Sequence, residues 1–424
     1  MELTASEEKI VNTVESLTDE ILDFTSALVS EKSTLGNEAG AVAVMEERLN
    51  KLGFSPWRIP IDHQTLREHP GYAPVPWEGG DKDNVAAMVQ PETFSGRSLL
   101  FNGHLDVVSA DPVDFWEQDP YTPEIRGNWL YGRGSGDMKS GVAAMTYAVH
   151  AVERAGFRFT APVTIEGVIE EECCGNGALA CIHQGLDADA VLIPEPFGPT
   201  IQTCQVGVLW FRVRVKGKPV HVLEAGAGSN AIEKLFPLIQ ALRELENEMN
   251  RENVPEAYRL LDHPLNLNIG IIQGGEWTST VPAAGEFQAR LSYYPGTDYQ
   301  AVCRRIQQTV HRAAEKDAWL KKNSPEVEFF GFRSDGHCVS RDLPAFSLLN
   351  DCHKTFAGED ARDYISTCTT DLRAFHFFGN GQATCFGPAA ENIHGANERV
   401  HIDSVIHTAK TYALFAARWC GITE

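Results

Sequence analysis

Residues 163–177 read VTIEGVIEEECCGNG. The stretch opens as an apolar, β-branched run and then sets Glu170, Glu171 and Glu172 in a row, ahead of Cys173, Cys174 and a glycine turn. A lone acidic triplet after a strand reads as a solvated loop rim. In an open α/β sheet, though, the chemistry gathers at the carboxyl ends of the strands. What the triplet does therefore depends on what the other strand ends carry.

Working outward, NVAAMVQP (84–91), SLLFNGHLD (98–106), APVTIEGVIE (161–170) and ADAVLIPEP (188–196) read as buried strands, and helical periodicity fits 5–30, 37–53 and 140–155. This alternation predicts an α/β fold with a mostly parallel sheet and helices on its faces. After Cys204 the texture changes. VGVLWFRVRVKGK (206–218) alternates, helical patterns cover 229–250 and 298–317, and LNLNIGIIQG and GEFQARLSYYPG lie between them as strands. That order suits a small sheet with helices on one face. The expected organisation is a discontinuous catalytic domain, 1–205 and 323–424, interrupted by an α+β domain at 206–322.

The balance of 36 basic to 58 acidic residues leaves a net charge of −22 across 424 residues. Such a surface repels nucleic acid and anionic membranes, so neither is an expected partner. The N-terminus lacks a basic stretch leading into an apolar core, and no apolar window of spanning length occurs, so a cytoplasmic location is expected. Ten cysteines without a CxxC pair argue against a disulfide framework or a thiolate zinc knuckle.

The strand ends do carry ligands. GHLDVV offers His104 and Asp106, GRGSGDMKSG offers Asp137, EEECCG offers Glu171 and Glu172, IPEP offers Glu195, and the late NIHGANE adds His394. Each alone is a weak signal, since a single histidine is more often structural; their placement at successive strand ends is the stronger one. A mixed imidazole and carboxylate set suits zinc, manganese or cobalt better than calcium or copper.

In this order, with His394 followed four residues later by a Glu, the motifs resemble the acetylornithine deacetylase, succinyl-diaminopimelate desuccinylase and aminoacylase family, from about Asn84 to about Val405. The resemblance implies a zinc-peptidase-like catalytic domain with an inserted lid or dimerisation domain. It implies two divalent ions, Zn2+ first, with Co2+ or Mn2+ as substitutes. Asp137 would bridge them, His104 and Glu195 would complete one site, and Glu172 and His394 the other. Asp106 would hydrogen-bond the His104 imidazole. Glu171 would be the general base, removing a proton from a water acidified by the ions and handing it to the leaving amine. His221 matches a lid histidine that reaches the partner subunit's substrate in a homodimer. Arg290 and Arg373 match positions that hold a substrate carboxylate, and Ser279 and Asn230 fall among substrate contacts.

The lid departs from the family pattern in two places. TSTVP carries Ser279 and Thr280 where many relatives have Asn, and HVLEAGAGSN lacks a Pro between His221 and Asn230. Both touch the substrate side, so the implied activity is hydrolysis of an amide in a small N-acyl amino acid or amine, with the acyl group open. A dipeptidase or carboxypeptidase of the same family, or a non-catalytic metal-binding homologue, are the alternatives. The glycines at 132, 134 and 136 do not make a dinucleotide-binding GxGxxG. A cysteine nucleophile at Cys173 or Cys174 would be crowded by carboxylates that raise its pKa.

Overall fold

The computed structural model describes residues 2–77, 82–92 and 94–424. Its main sheet runs in the order Trp57–Pro60, Asp83–Val89, Val163–Val168, Leu99–His104, Ala190–Ile193, Gln382–Cys385. The last four strands are mutually parallel, and the first two join antiparallel at one edge. Leu99–His104 and Val163–Val168 are buried at every position, which is why they read as continuous apolar runs rather than alternating ones. Successive residues divide between the two faces. Leu99, Phe101 and Ile165 join a core with helices Ser140–Arg154 and Ile402–Cys420, while Leu100, Val168 and Val191 join another with Asn176–His183 and Leu372–Phe378. The main sheet is thus covered on both sides, and its open ends are where side chains can reach solvent.

The periodicity over 5–30 resolves into two helices, Ala5–Ser16 and Thr18–Val29. Thr4 starts the first through a capping box with Glu7. At the break, the Ser16 hydroxyl donates to the Thr13 carbonyl and the Thr18 hydroxyl to that of Glu15, local bonds that compete with the helical ladder.

The second sheet is antiparallel throughout, in the order Leu267–Gly274, Ala284–Tyr293, Gly207–Lys216, Glu326–Ser334. Helices Ala231–Met249 and Tyr299–Ala314 close over its apolar face in a separate core. The boundary expected at 322 falls short, because the fourth strand of this sheet, Glu326–Ser334, pairs with Gly207–Lys216. The insertion leaves and rejoins the main body through adjacent strands: Thr200–Gln205 pairs with His337–Cys338 on one side and Arg362–Ser366 on the other. Cys204 and Cys338 sit opposite each other there and form a disulfide. The cysteines build no framework, but one pair ties the entry of the lid to its exit.

Candidate metal and catalytic site

The loop after Leu99–His104 and the turns after Val163–Val168 and Ala190–Ile193 meet at one end of the sheet. His104 is buried at its strand end, and its Nε2 lies 3.0 Å from Asp137 Oδ1. The other oxygen of Asp137 faces His394 Nε2 at 3.4 Å, and His394 Nε2 is 3.2 Å from Glu172 Oε1. Ligand atoms of His104, Asp137 and Glu172 all lie within 4.8 Å of one another. A carboxylate with each oxygen turned to a different imidazole has the donor arrangement a bridging ligand needs, so these residues fit a pair of divalent ions. Glu195 is buried at the end of its own strand beside them.

The electrostatics follow from the crowding. Burial and then the neighbouring carboxylates push Glu171 well above the ordinary range, with His104 opposing. Burial and Asp137 push Glu195 the same way. Burial would raise Asp137 too, but His104 and His394 outweigh it and hold the carboxyl well below its usual value. Glu172 lifts His394 to about 11. Cationic charge at this spot is what the carboxylates lack.

Asp106 does two jobs, one of them through its backbone. His104 Nδ1 is 2.9 Å from the Asp106 carbonyl oxygen, against 3.7 Å from its carboxylate, so the carbonyl holds the imidazole tautomer. The carboxylate instead accepts the backbone N–H groups of Glu171 at 3.3 Å and Glu172 at 3.1 Å. It thereby fixes the turn that carries the two glutamates.

Glu170 has other partners. It is buried with φ 66°, accepts from Lys82 Nζ at 2.9 Å, and lies 3.4 Å from His63 Nε2. Burial alone would raise its pKa; His63 and Lys82 hold it down to about 2. Lys82 also donates to Glu38 at 3.0 Å. The connection at 61–84, of which 78–81 lie outside the described residues, is anchored behind the catalytic turn by these contacts. Cys173 and Cys174 are buried, and contact between the thiols together with burial raises Cys173, so neither is an activated nucleophile.

A cleft of about 370 Å³ opens from the cluster. Glu171, Glu172 and His394 line it from the main body, and Trp210, Arg290 and Phe332 from the lid. Arg290 Nη2 donates to the Thr367 carbonyl at 3.3 Å. Arg373 lies elsewhere: its guanidinium packs on the Phe332 ring, donates to the Cys174 carbonyl and borders a separate cavity. His221, Ser279 and Asn230 do not line the cleft either. His221 is exposed, and its Nδ1 accepts from Leu223 N at 3.1 Å; Ser279 offers its carbonyl to Val222 N; Asn230 caps helix Ala231–Met249.

One functional residue escaped the residue-by-residue reading. Glu398 is fully buried and accepts Gly136 N at 3.0 Å and Asp137 N at 2.9 Å on one oxygen, and Gly134 N at 3.0 Å and the Arg133 guanidinium at 2.5 Å on the other. It shapes the loop that presents Asp137. The only trace in the sequence was its spacing from His394.

A carboxylate held between two imidazoles at the ends of a parallel sheet, with a buried glutamic acid beside it in a cleft, defines a metal-dependent hydrolase. The chain belongs to the family described as Peptidase family M20/M25/M40, whose model matches residues 100–418. It is an enzyme acting on amide bonds. It is 26% identical over 431 residues, 96% of each chain, to the N-formyl-4-amino-5-aminomethyl-2-methylpyrimidine deformylase of Bacillus subtilis strain 168. It is 24% identical over 404 residues to the succinyl-diaminopimelate desuccinylase of Thioalkalivibrio sulfidiphilus, covering 92% of this chain and 96% of that one. In fold it is similar to the dipeptidase Dug1p of Saccharomyces cerevisiae, with a TM-score of 0.82, 15% identity and full coverage of both chains.

Proposed function

We propose that the enzyme hydrolyses the amide of a small N-acyl amine or N-acyl amino acid, of the deformylase, deacetylase or desuccinylase type. His104 and Glu195 would hold one Zn2+, Glu172 and His394 the other, and Asp137 both. When bound, such ions acidify a water and polarise the amide carbonyl. The chain's own residues do the rest. Glu171, buried at the cleft wall, accepts the proton of the attacking water and passes it to the departing amine nitrogen. Asp106 holds the turn that carries Glu171 and Glu172 through their backbone N–H groups. Arg290 faces the cleft and orients an anionic or carbonyl group of the substrate. Arg373, buried against the Cys174 carbonyl, supports the turn, and a substrate role for it would require movement.

In this reading the protein acts as a homodimer and His221 serves the partner's cleft as an oxyanion donor. Its exposure and its distance from the cleft-lining set support that role, since a residue already committed to its own site could not cross. Ser279 and Asn230, beside it in the fold, would act on the same side of that interface.

The observation that carries the proposal is Glu171, a buried carboxyl beside the ligand cluster and open to the same cleft. The test is a screen of zinc-loaded protein against N-formyl, N-acetyl and N-succinyl amino acids and amines, alongside dipeptides. Turnover of an N-acyl compound that is lost with a chelator and restored by Zn2+, Co2+ or Mn2+ supports it. Turnover confined to dipeptides would move the enzyme to the peptidase side of its family, and chelator-resistant turnover would overturn the metal mechanism.

A further inference from the structure

One wall of the cleft is built from rings. Trp210, on strand Gly207–Lys216, pairs in register with Phe330 on Glu326–Ser334, and the two side chains are 6.0 Å apart at 66°. Phe332 meets the same indole at 5.3 Å and 70°. All three line the cleft.

The wall is rigid. Gly331, between the two phenylalanines, has φ 61°, and a Cβ there would come within 2.7 Å of the Trp210 ring. A side chain there would be strained at that φ and would collide with the indole, so Gly331 is what lets the bulged strand pack directly against Trp210. Its N–H donates to the Pro74 carbonyl at 2.7 Å, and Trp210 also packs against Ala73, Cys173 and Cys174 behind the catalytic turn. Outside, Arg212 stacks on Phe330 at 4.2 Å and Arg373 on Phe332 at 5.1 Å. The rings are held before any ligand arrives, the condition under which aromatic contacts contribute most to selection.

The polar groups around the wall say what kind of ligand fits. Asn268 and Gln288 line the cleft next to Arg290. Gln288 gives its N–H to Glu286 at 2.9 Å, leaving its carbonyl as an acceptor at the cleft. The carboxylates lining the cleft are Glu171 and Glu172, which the proposed mechanism commits to the attacking water and the metal. A side-chain ammonium on the leaving group would thus meet Arg290 and no uncommitted anion. A neutral flat ring with hydrogen-bonding groups on its edge meets aromatic faces and two amides.

We propose that the amine released by this enzyme carries a planar aromatic or N-heteroaromatic ring, and that Trp210, Phe330 and Phe332 form the subsite that selects it. This rests on the amide-hydrolase reading for its chemistry, but the subsite is a property of the lid wall and can be measured without turnover. The hydrolysis is ordinary: the C–N bond breaks, water supplies the new C–O bond, and the ring leaves on the protonated amine.

The test compares N-benzylformamide with N-(cyclohexylmethyl)formamide on the zinc-loaded enzyme. The two match in size and acyl group, and the saturated ring is the more hydrophobic, so preference for the flat one isolates aromatic contact. In parallel, calorimetry measures binding of 4-phenylbutan-2-one and 4-cyclohexylbutan-2-one, methyl ketones in which a methylene replaces the amide nitrogen and a methyl the formyl hydrogen, so that nothing can be hydrolysed. The expected preference for the flat ring is about tenfold in kcat/KM and in Kd. Trp210→Leu should bring both ratios to within about threefold while Trp210→Phe keeps them, with zinc content and melting temperature checking the fold. Equal handling of the two rings by the wild type, or a ratio unmoved in a folded Trp210→Leu protein, overturns the subsite. If the ketones discriminate and neither formamide is turned over, the subsite stands and the deacylase reading fails. If the ketones do not discriminate, the subsite fails whatever is hydrolysed.

Discussion

Glu398 lines no part of the cleft, yet both of its oxygens are spent on the loop that carries Asp137. An amide in its place keeps one acceptor oxygen and turns an NH2 toward backbone N–H groups. Glu398→Gln should therefore lower metal affinity by about 10–100-fold, the usual cost of losing a group that orients a ligand. Competition with a chelator of known affinity reads this without turnover, and an unchanged affinity would show that Asp137 needs no such support. The cluster of His104, Asp137 and Glu172 was legible as a candidate site because imidazoles and carboxylates at successive strand ends converge on one end of the sheet. Glu398 and the Asp106 carbonyl were not, because both act through backbone groups, and sequence displays side chains.

The short strand His337–Cys338 joins Thr200–Gln205 and brings His337 onto helix Leu372–Phe378, where its ring stacks on His376 at 4.1 Å and 13°. His337 is 6% exposed, and burial first, then His376, pushes its pKa down to about 3. The unfolded chain takes up a proton near pH 6.5, so between pH 6.5 and 3 it binds more protons than the fold does. Stability must fall as pH drops through that window, by about 2 kcal/mol at pH 5 from this ring alone. Urea melts at pH 5 and pH 7.5 should show a smaller difference for His337→Phe than for the wild type; an equal difference would place the acid sensitivity elsewhere. Elements of this kind are where the sequence was least informative. The split at Leu17 depends on which hydroxyls capture carbonyls, and the Cys204–Cys338 pairing spans 134 residues with no local mark. The long buried strands and the amphipathic helices were readable because burial on one or both faces writes its period directly into the chain.

At the scale of the molecule, the lid sheet and the main sheet each supply one wall of the cleft, and the insertion was visible as a change of texture at Cys204. Its far boundary has no such mark, because Glu326–Ser334 joins the lid sheet only by virtue of its partner Gly207–Lys216. If His221 crosses a two-fold interface, Glu171→Gln and His221→Ala are each nearly inactive alone but complement when mixed. After co-refolding, about half the dimers carry one of each subunit and one complete site of two, so activity should return to about a quarter of wild type. Mixed dimers without activity would confine His221 to its own subunit.

The most direct measurement is made on one preparation of Glu171→Gln, assayed for metal content and for turnover of the best N-acyl substrate. The side chain is neither shared with the ligand set nor needed to hold Asp137, so two ions per chain should remain while kcat falls by about 10²–10⁴. Two ions with near-normal kcat would contradict Glu171 as the base.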